Sequence, residues 1–210
     1  MKYQKDHNNL IFENRIVSVR KIRMNTGDSI LFHSGRERIM FAVSPLHVRI
    51  MELPAARDLV MEKEAVCWHD HSDFTVQNLS NDPAEIVVFS ITANSSQEYS
   101  EEPLRHFIDQ LRLQDIQIHI DNPAIQVLKI KLKPKGHLPS HPGVNVILFA
   151  LSPYTIRYYH ENLGEISKTV KVGDVLFHGS EVSAIENLGQ NYLSFLVLVL
   201  KVPSLESISL

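Results

Sequence analysis

Residues 41–50, FAVSPLHVRI, return as residues 149–158, FALSPYTIRY. Phe41, Ala42, Ser44, Pro45 and Arg49 match Phe149, Ala150, Ser152, Pro153 and Arg157 at a single offset of 108. The echo runs backwards at that offset, IVSVRKIRM (16–24) onto AIQVLKIKL (124–132), and sets His33 over His141. Forwards, EAVCWHDHSDFTVQNL (64–79) lies over GDVLFHGSEVSAIENL (173–188) at an offset of 109, so one residue enters between the blocks. A fixed-period echo of this extent is the mark of an internal duplication. It divides the 210 residues into two domains, each of roughly 100 residues. The expected division is a first repeat over 1–98, a linker over 99–115 and a second repeat over 116–210.

Both halves read as strands. SVRKIRM, RIMFAV, HVRIMEL and AEIVVFSI, with their partners QVLKIKL, NVILFAL, TIRYY and YLSFLVLVL, are short and rich in Val, Ile, Leu and Phe. Clusters such as NTGD, SNDP, KPKGH and NLGQN separate them, as turns require. SVRKIRM and QVLKIKL alternate apolar with polar residues, the period of a sheet with one buried and one wet face. The later strands are nearly continuous apolar runs, which predicts burial on both faces, where the two halves pack together. Residues 100–114 differ: Leu104, Phe107, Ile108 and Leu111 follow the spacing of one helical face. Ser100 is placed to cap that helix, with Glu101 and Glu102 beside the positive end of its dipole. This predicts a connector helix whose apolar stripe packs on a barrel.

Composition narrows the partners. Hydrophobic residues make up 44% and charged residues 21%, with a net charge of −3 and no basic run. That gives no nucleic-acid footprint. The longest apolar stretch, residues 192–200, falls well short of the ~20 residues of a membrane span. The N-terminal MKYQKDHNN has no apolar signal core, and a single cysteine, Cys67, fits a reducing cytoplasm. Cys67 stands in an apolar strand with no activating base evident, so it reads as an inert core thiol. No Gly-rich phosphate loop, G-x-S-x-G elbow or Cys-x-x-Cys pair is present. Eleven histidines are many for this length and direct attention to a metal.

Residues 173–177, GDVLF, open a segment that residues 185–189, IENLG, close, and residues 64–78 have the same length and keep the Asn. This resembles the second motif of the cupins: Gly-Asp, apolar residues, a turn, a His, and an Asn four residues later. The likeness spans about residues 11–91 and 119–201, as in a bicupin. It implies an all-β chain of two tandem cupin-type jelly-roll β-barrels joined by a short helix. The resemblance also implies metal ligands, and most are missing. Phe74 and Ser183 stand where the second-motif His belongs. With the Ser-Pro turn as anchor, the first motif gives His33 and Glu37, with Leu31 for the other His; the second half gives His141, Asn145 and Pro139. Anchored on Gly27 instead, His33 becomes the first His and Gly35 the second, so the register stays open.

The candidate metal set is His33, Glu37, His69 and His71, holding a divalent transition metal (Fe, Mn, Ni or Zn) in the first repeat. A His/His/Glu set with an open position supports oxygen or Lewis-acid chemistry. The alternative for Trp68-His69-Asp70-His71 is a polar turn, and the turn is the favoured reading. His69 recurs as His178, either as a hydrogen-bonded structural residue or as a ligand. The ligand-pocket candidates are His141, His178, Arg49, Arg157 and Tyr158. A guanidinium inside a barrel clamps an acid; on the outside it solvates a strand face, the favoured reading for both arginines. Tyr154, Tyr159 and His160 read as ordinary strand residues.

Three functions remain open: a small-molecule-binding bicupin with eroded metal sites; a metal-dependent cupin oxygenase or isomerase acting on a small organic acid or sugar; and a metal-free epimerase or cyclase with a barrel His as base. Expected partners are a small-molecule ligand and a second copy of the chain in a homodimer, with neither nucleic acid nor membrane.

Overall fold

The computed structural model describes residues 8–70, 72–91, 107, 109, 115–123, 125–138, 145–178 and 182–201. The chain forms two compact units, Met1–Ala93 and Asn94–Leu210. Each contains nine strands in the same order.

In the first unit these are β1 (Asn8–Glu13), β2 (Val17–Met24), β3 (Ser29–Phe32), β4 (Glu37–Ala42), β5 (Leu46–Glu52), β6 (Ala55–Met61), β7 (Val66–His69), β8 (Phe74–Asn78) and β9 (Ala84–Ile91). They form a five-stranded sheet, β1-β2-β9-β4-β7, and a four-stranded sheet, β3-β8-β5-β6. Apart from the β1–β2 and β5–β6 hairpins, successive strands hop between the two antiparallel sheets, which is the jelly-roll arrangement.

The second unit repeats it with β10 (Asp115–Asp121), β11 (Ile125–Leu132), β12 (His137–Leu138), β13 (Asn145–Ala150), β14 (Tyr154–His160), β15 (Gly164–Val170), β16 (Val175–His178), β17 (Val182–Asn187) and β18 (Leu193–Leu200). Its sheets run β10-β11-β18-β13-β16 and β12-β17-β14-β15. The all-β, doubled jelly-roll expectation is thus the observed fold.

The inserted residue has an address. β5 and β6 pair from Glu52↔Ala55, leaving Leu53 and Pro54 in the turn, whereas β14 and β15 pair from His160↔Gly164, leaving Glu161, Asn162 and Leu163. The longer turn closes on Gly164 at φ +74°, a left-handed position that suits glycine at the end of a three-residue hairpin loop. A hairpin tip absorbs such an insertion without disturbing the register of either strand.

Alternation sorts each strand into faces. In the first unit Ile22, Met24, Met40, Ala42, Val48, Ile50, Phe74, Val76, Ile86 and Val88 gather in one interior core. The intervening residues of the five-stranded sheet, Ile39, Phe41, Val87 and Phe89, are buried too, as are Ile147, Phe149, Leu196 and Leu198 in the second unit. These sheets are buried on both faces, which accounts for their unbroken apolar runs.

The Asn repeated in both copies is a staple. Asn78 donates to Met24 O and Asp82 O and accepts from Ser80 N–H. Asn187 does the same work, donating to the carbonyls of Leu132, Lys133 and Asn191 and accepting from Gly189 N–H. Both are buried, so their bonds are made in a low-dielectric setting where an unmet carbonyl is costly. The expected connector helix over 100–114 lies outside the described residues except for Phe107 and Asp109. Phe107 is buried in the core of the second unit.

Candidate functional site

The site follows from strand alternation. On β2, β4 and β9 the residues Ile22, Met40 and Val88 face the first unit's interior, so residues at even spacing from them do as well. Those residues are Ser18 and Arg20, Arg38, and Ser90. Cross-strand register lines up Ser18↔Ser90, Ser90↔Arg38 and Arg38↔His69, a polar row across β2, β9, β4 and β7. One step deeper the row becomes Arg20↔Val88, Val88↔Met40 and Met40↔Cys67.

A cavity of about 430 Å³ opens along these rows. Its polar lining is Ser18, Arg20 and Ser90 from the sheet, with His33, Ser34 and Arg36 from the loop after β3, and Arg38. Ile22, Ile30, Leu31, Phe32 and Val88 supply the apolar part. Among the described residues no carboxylate belongs to the lining. Asp73 is an acid whose charge acts on Arg38, and its carboxylate accepts the Ser34 N–H at the rim.

Arg38 is the anchor of the site. It is 5% exposed. Its Nη1 donates to Arg36 O at 3.1 Å and its Nη2 to His33 O. The guanidinium sits over Phe32 at 5.4 Å and Phe74 at 5.7 Å, within the range of cation–π attraction. Burial, and then the Arg36 charge, lower its pKa from the ordinary arginine value, with Asp73 opposing; arginine nonetheless remains charged. Nε is buried and has no hydrogen-bond partner among the described residues.

His69 stands at the end of the row but does not line the cavity. Its ring stacks on Phe74 at 4.1 Å, and Phe74 stacks in turn on Phe32 at 4.9 Å. Burial, aided by Arg57, pushes the imidazole down to about 4, against the pull of Glu52 and Asp70. It is therefore neutral near pH 7. Its Nε2 lies 3.7 Å from Cys67 Sγ, and burial raises that thiol's pKa, which leaves Cys67 protonated and unreactive.

The sequence-derived candidates separate. Glu37 is buried on the opposite face of β4 from Arg38, beside Ile39 and Phe41 rather than Met40. His33 is exposed at the cavity's rim, and His71 lies outside the described residues. His33, Glu37 and His69 are not brought together: among the described residues no group of three His, Cys, Asp or Glu side chains is placed to hold a metal. The lining does not fit a cation either, since Arg20, Arg36 and Arg38 concentrate positive charge there. Phe74, where the ligand His would stand, is occupied in stacking.

Arg49 and Arg157 belong to outer faces. Arg49 forks onto Asp58 with Nε–Oδ1 2.7 Å and Nη2–Oδ2 2.9 Å, and Arg157 binds Glu186, Nε–Oε2 3.0 Å. Both alternate with core residues on their strands and are spent on surface ion pairs. His141 lies outside the described residues. His178 and Tyr158 do meet inside the second unit, edge to face at 5.2 Å, with Tyr158 packed against that unit's core.

Arg20, Arg38, Ser18 and Ser90 were not among the sequence-derived candidates. The signal was present in the repeat: at the same offset Arg20 faces Leu128 and Arg38 faces Val146, charged residues at positions the other copy fills with hydrocarbon.

No family model matches the sequence, and no curated protein does. Solved structures match in shape. AerE from Microcystis aeruginosa superposes with a TM-score of 0.71 at 11% identity, over 93% of each chain. A cupin 2 conserved barrel domain protein from Leptotrichia buccalis gives 0.58 at 10% identity, over 96% of this chain and 91% of that one. Streptomyces albus HEPD, with 2-hydroxyethylphosphonate and Fe(II) bound, gives 0.68 at 10% identity, over 92% of this chain and 70% of that one. At such identities the likeness is one of fold.

Proposed function

We propose that this chain, which has the cupin fold in two tandem copies, is a small-molecule-binding protein whose ligand occupies the interior of the first barrel. The observation that carries this reading is the cavity of about 430 Å³ beside the buried Arg38. That is the size of an ordinary small-ligand pocket, with convergent polar groups set beside an apolar part. The second barrel, which has Leu128, Val146 and Val199 where the first has Arg20, Arg38 and Ser90, serves as structural support.

The catalytic alternatives have less behind them. A general base works best with a pKa near the operating pH, and His69 at about 4 is far below it. The concentration of arginines disfavours a divalent metal in the same space.

The test is thermal unfolding of the full chain against a panel of small acids, sugars and amines, run in parallel with Ser90→Phe. Ser90 is buried and lines the cavity, so the larger side chain fills the space while all three arginines are retained. Ligands that raise the midpoint of the parent and not of the variant bind there. Equal shifts in both proteins place the binding elsewhere and sink the proposal. Elemental analysis of untagged protein accompanies it; near one equivalent of a transition metal per chain overturns the metal-free reading.

A further inference from the structure

We infer that the ligand of the first barrel carries an oxyanion, a carboxylate or phosphate group, held by Arg38 and Arg20. This rests on the binding role just proposed and adds the ligand's chemical class.

Arg49 and Arg157, on wet faces, each have a carboxylate partner. Among the described residues Arg20, Arg36 and Arg38, gathered around the cavity, form no ion pair, and no acid belongs to the lining. Three guanidinium groups, opposed only by the Asp73 charge at the rim, leave a net positive potential in a half-enclosed space for an incoming anion to neutralise.

Arg38 supplies the geometry. Two of the guanidinium's N–H directions are taken by the His33 and Arg36 carbonyls, and Phe32 and Phe74 cover its face. The fork is therefore fixed before any ligand arrives, which limits the entropy lost on binding. Its Nε–H remains buried without an acceptor among the described residues. A buried donor in this state calls for a partner, and an oxyanion is the acceptor that also answers the charge. Ser18 and Ser90 hydroxyls stand in the same cross-strand row, available to the anion's remaining oxygens. Ile22, Ile30 and Val88 line the rest of the cavity, so the anion has a short apolar body rather than a polyhydroxylated one.

The test is calorimetric titration of the full chain with butyrate, hexanoate, butyl phosphate and inorganic phosphate, each set against butyramide or butanol as neutral counterparts. At least one anion is expected to bind, and its neutral counterpart at least about ten-fold more weakly, since charge-assisted bonds are the stronger kind. Preference among the four separates a carboxylate from a phosphate headgroup. Arg20→Gln and Arg38→Gln are each expected to weaken that anion about ten-fold or more, while Arg49→Gln, outside the cavity, leaves it unchanged. If Arg38→Gln does not fold, Arg20→Gln carries the test.

Neutral compounds binding as tightly as the anions, or unchanged affinity in Arg20→Gln, overturn the anion assignment while leaving the pocket reading standing. No binding by any of the four anions also overturns it. A failure of the pocket reading looks different: binding persists undiminished in Ser90→Phe.

Discussion

The two units carry one fold and two different interiors. Across β2, β9, β4 and β7 the first unit sets Ser18, Ser90, Arg38 and His69; across β11, β18, β13 and β16 the second sets Gln126, Val199, Val146 and His178. One row deeper, Arg20 corresponds to Leu128. Leu128, Val146 and Val199 are fully buried, so hydrocarbon stands in the second unit where the first has Arg20, Arg38 and Ser90. Both rows end on a buried His, yet its neighbour differs: Phe74 stacks on His69, and Tyr158 meets His178 edge-on. Duplication preserved the strand frame and its Asn staples while a few interior residues changed the character of the row.

Exchanging the row residues is the severest trial of that comparison. Val146→Arg places an uncompensated charge in a filled apolar row and is expected to cost about 4 kcal/mol or more. Arg38→Val, the reverse exchange, replaces a buried charge with the hydrocarbon the other copy uses. It is expected to cost no more than about 1 kcal/mol, measured with its partner by urea denaturation. Equal losses in the two variants would mean the rows are not interchangeable parts of one frame.

A smaller effect distinguishes His69 by pH. Its folded pKa of about 4 lies below the ordinary 6.5, so as pH falls the unfolded chain takes up the proton first. The stability tied to this neutral ring is complete above pH 6.5 and is lost as pH falls towards 4. The full displacement corresponds to at most about 3 kcal/mol. Urea midpoints at pH 7 and pH 4.5 for the parent and His69→Gln report it; the parent is expected to lose more than the variant. An NMR resonance that is absent from His69→Gln and titrates near 6.5 in the parent would refute the assignment.

The smallest effect comes from two turns where the copies traded glycine for a side chain. Gly27 at φ +80° corresponds to Lys135 at +58°, and Gly173 at +87° to Glu64 at +68°. A left-handed backbone costs a non-glycine residue about 1 kcal/mol, partly offset by the freedom glycine loses on folding. Lys135→Gly and Glu64→Gly are each expected to stabilise by about 0.5 kcal/mol, read from the denaturation midpoint. Loss of stability in either would show that its side chain contributes more than the turn strain removes.

Much of the fold was legible in the chain. The echo at offsets of 108 and 109 announced the duplication, alternation in SVRKIRM and QVLKIKL announced strands, and the unbroken runs of β9 and β18 announced sheets buried on both faces. The site was legible only in part. His33 does border the cavity, and His69 and His178 do lie inside their barrels. Glu37 attracted attention as a ligand-type residue, whereas its neighbour Arg38 is the one that faces inward. Arg49 and Arg157 were conspicuous because they repeat; Arg20 and Arg38 lacked that mark because their counterparts are Leu and Val.

What the sequence determined by itself was the number of units, their strand class and the place where a residue was added, since these rest on local periodicity and on self-comparison. The tertiary structure alone decided which side of each strand became the interior. A strand's two faces differ by a single step in register, so whether Glu37 or Arg38 enters the cavity depends on pairings to β7 and β9, residues distant in the chain. That parity, a property of the closed barrel and not of any short segment, turned a search for metal ligands into the finding of an arginine-lined pocket.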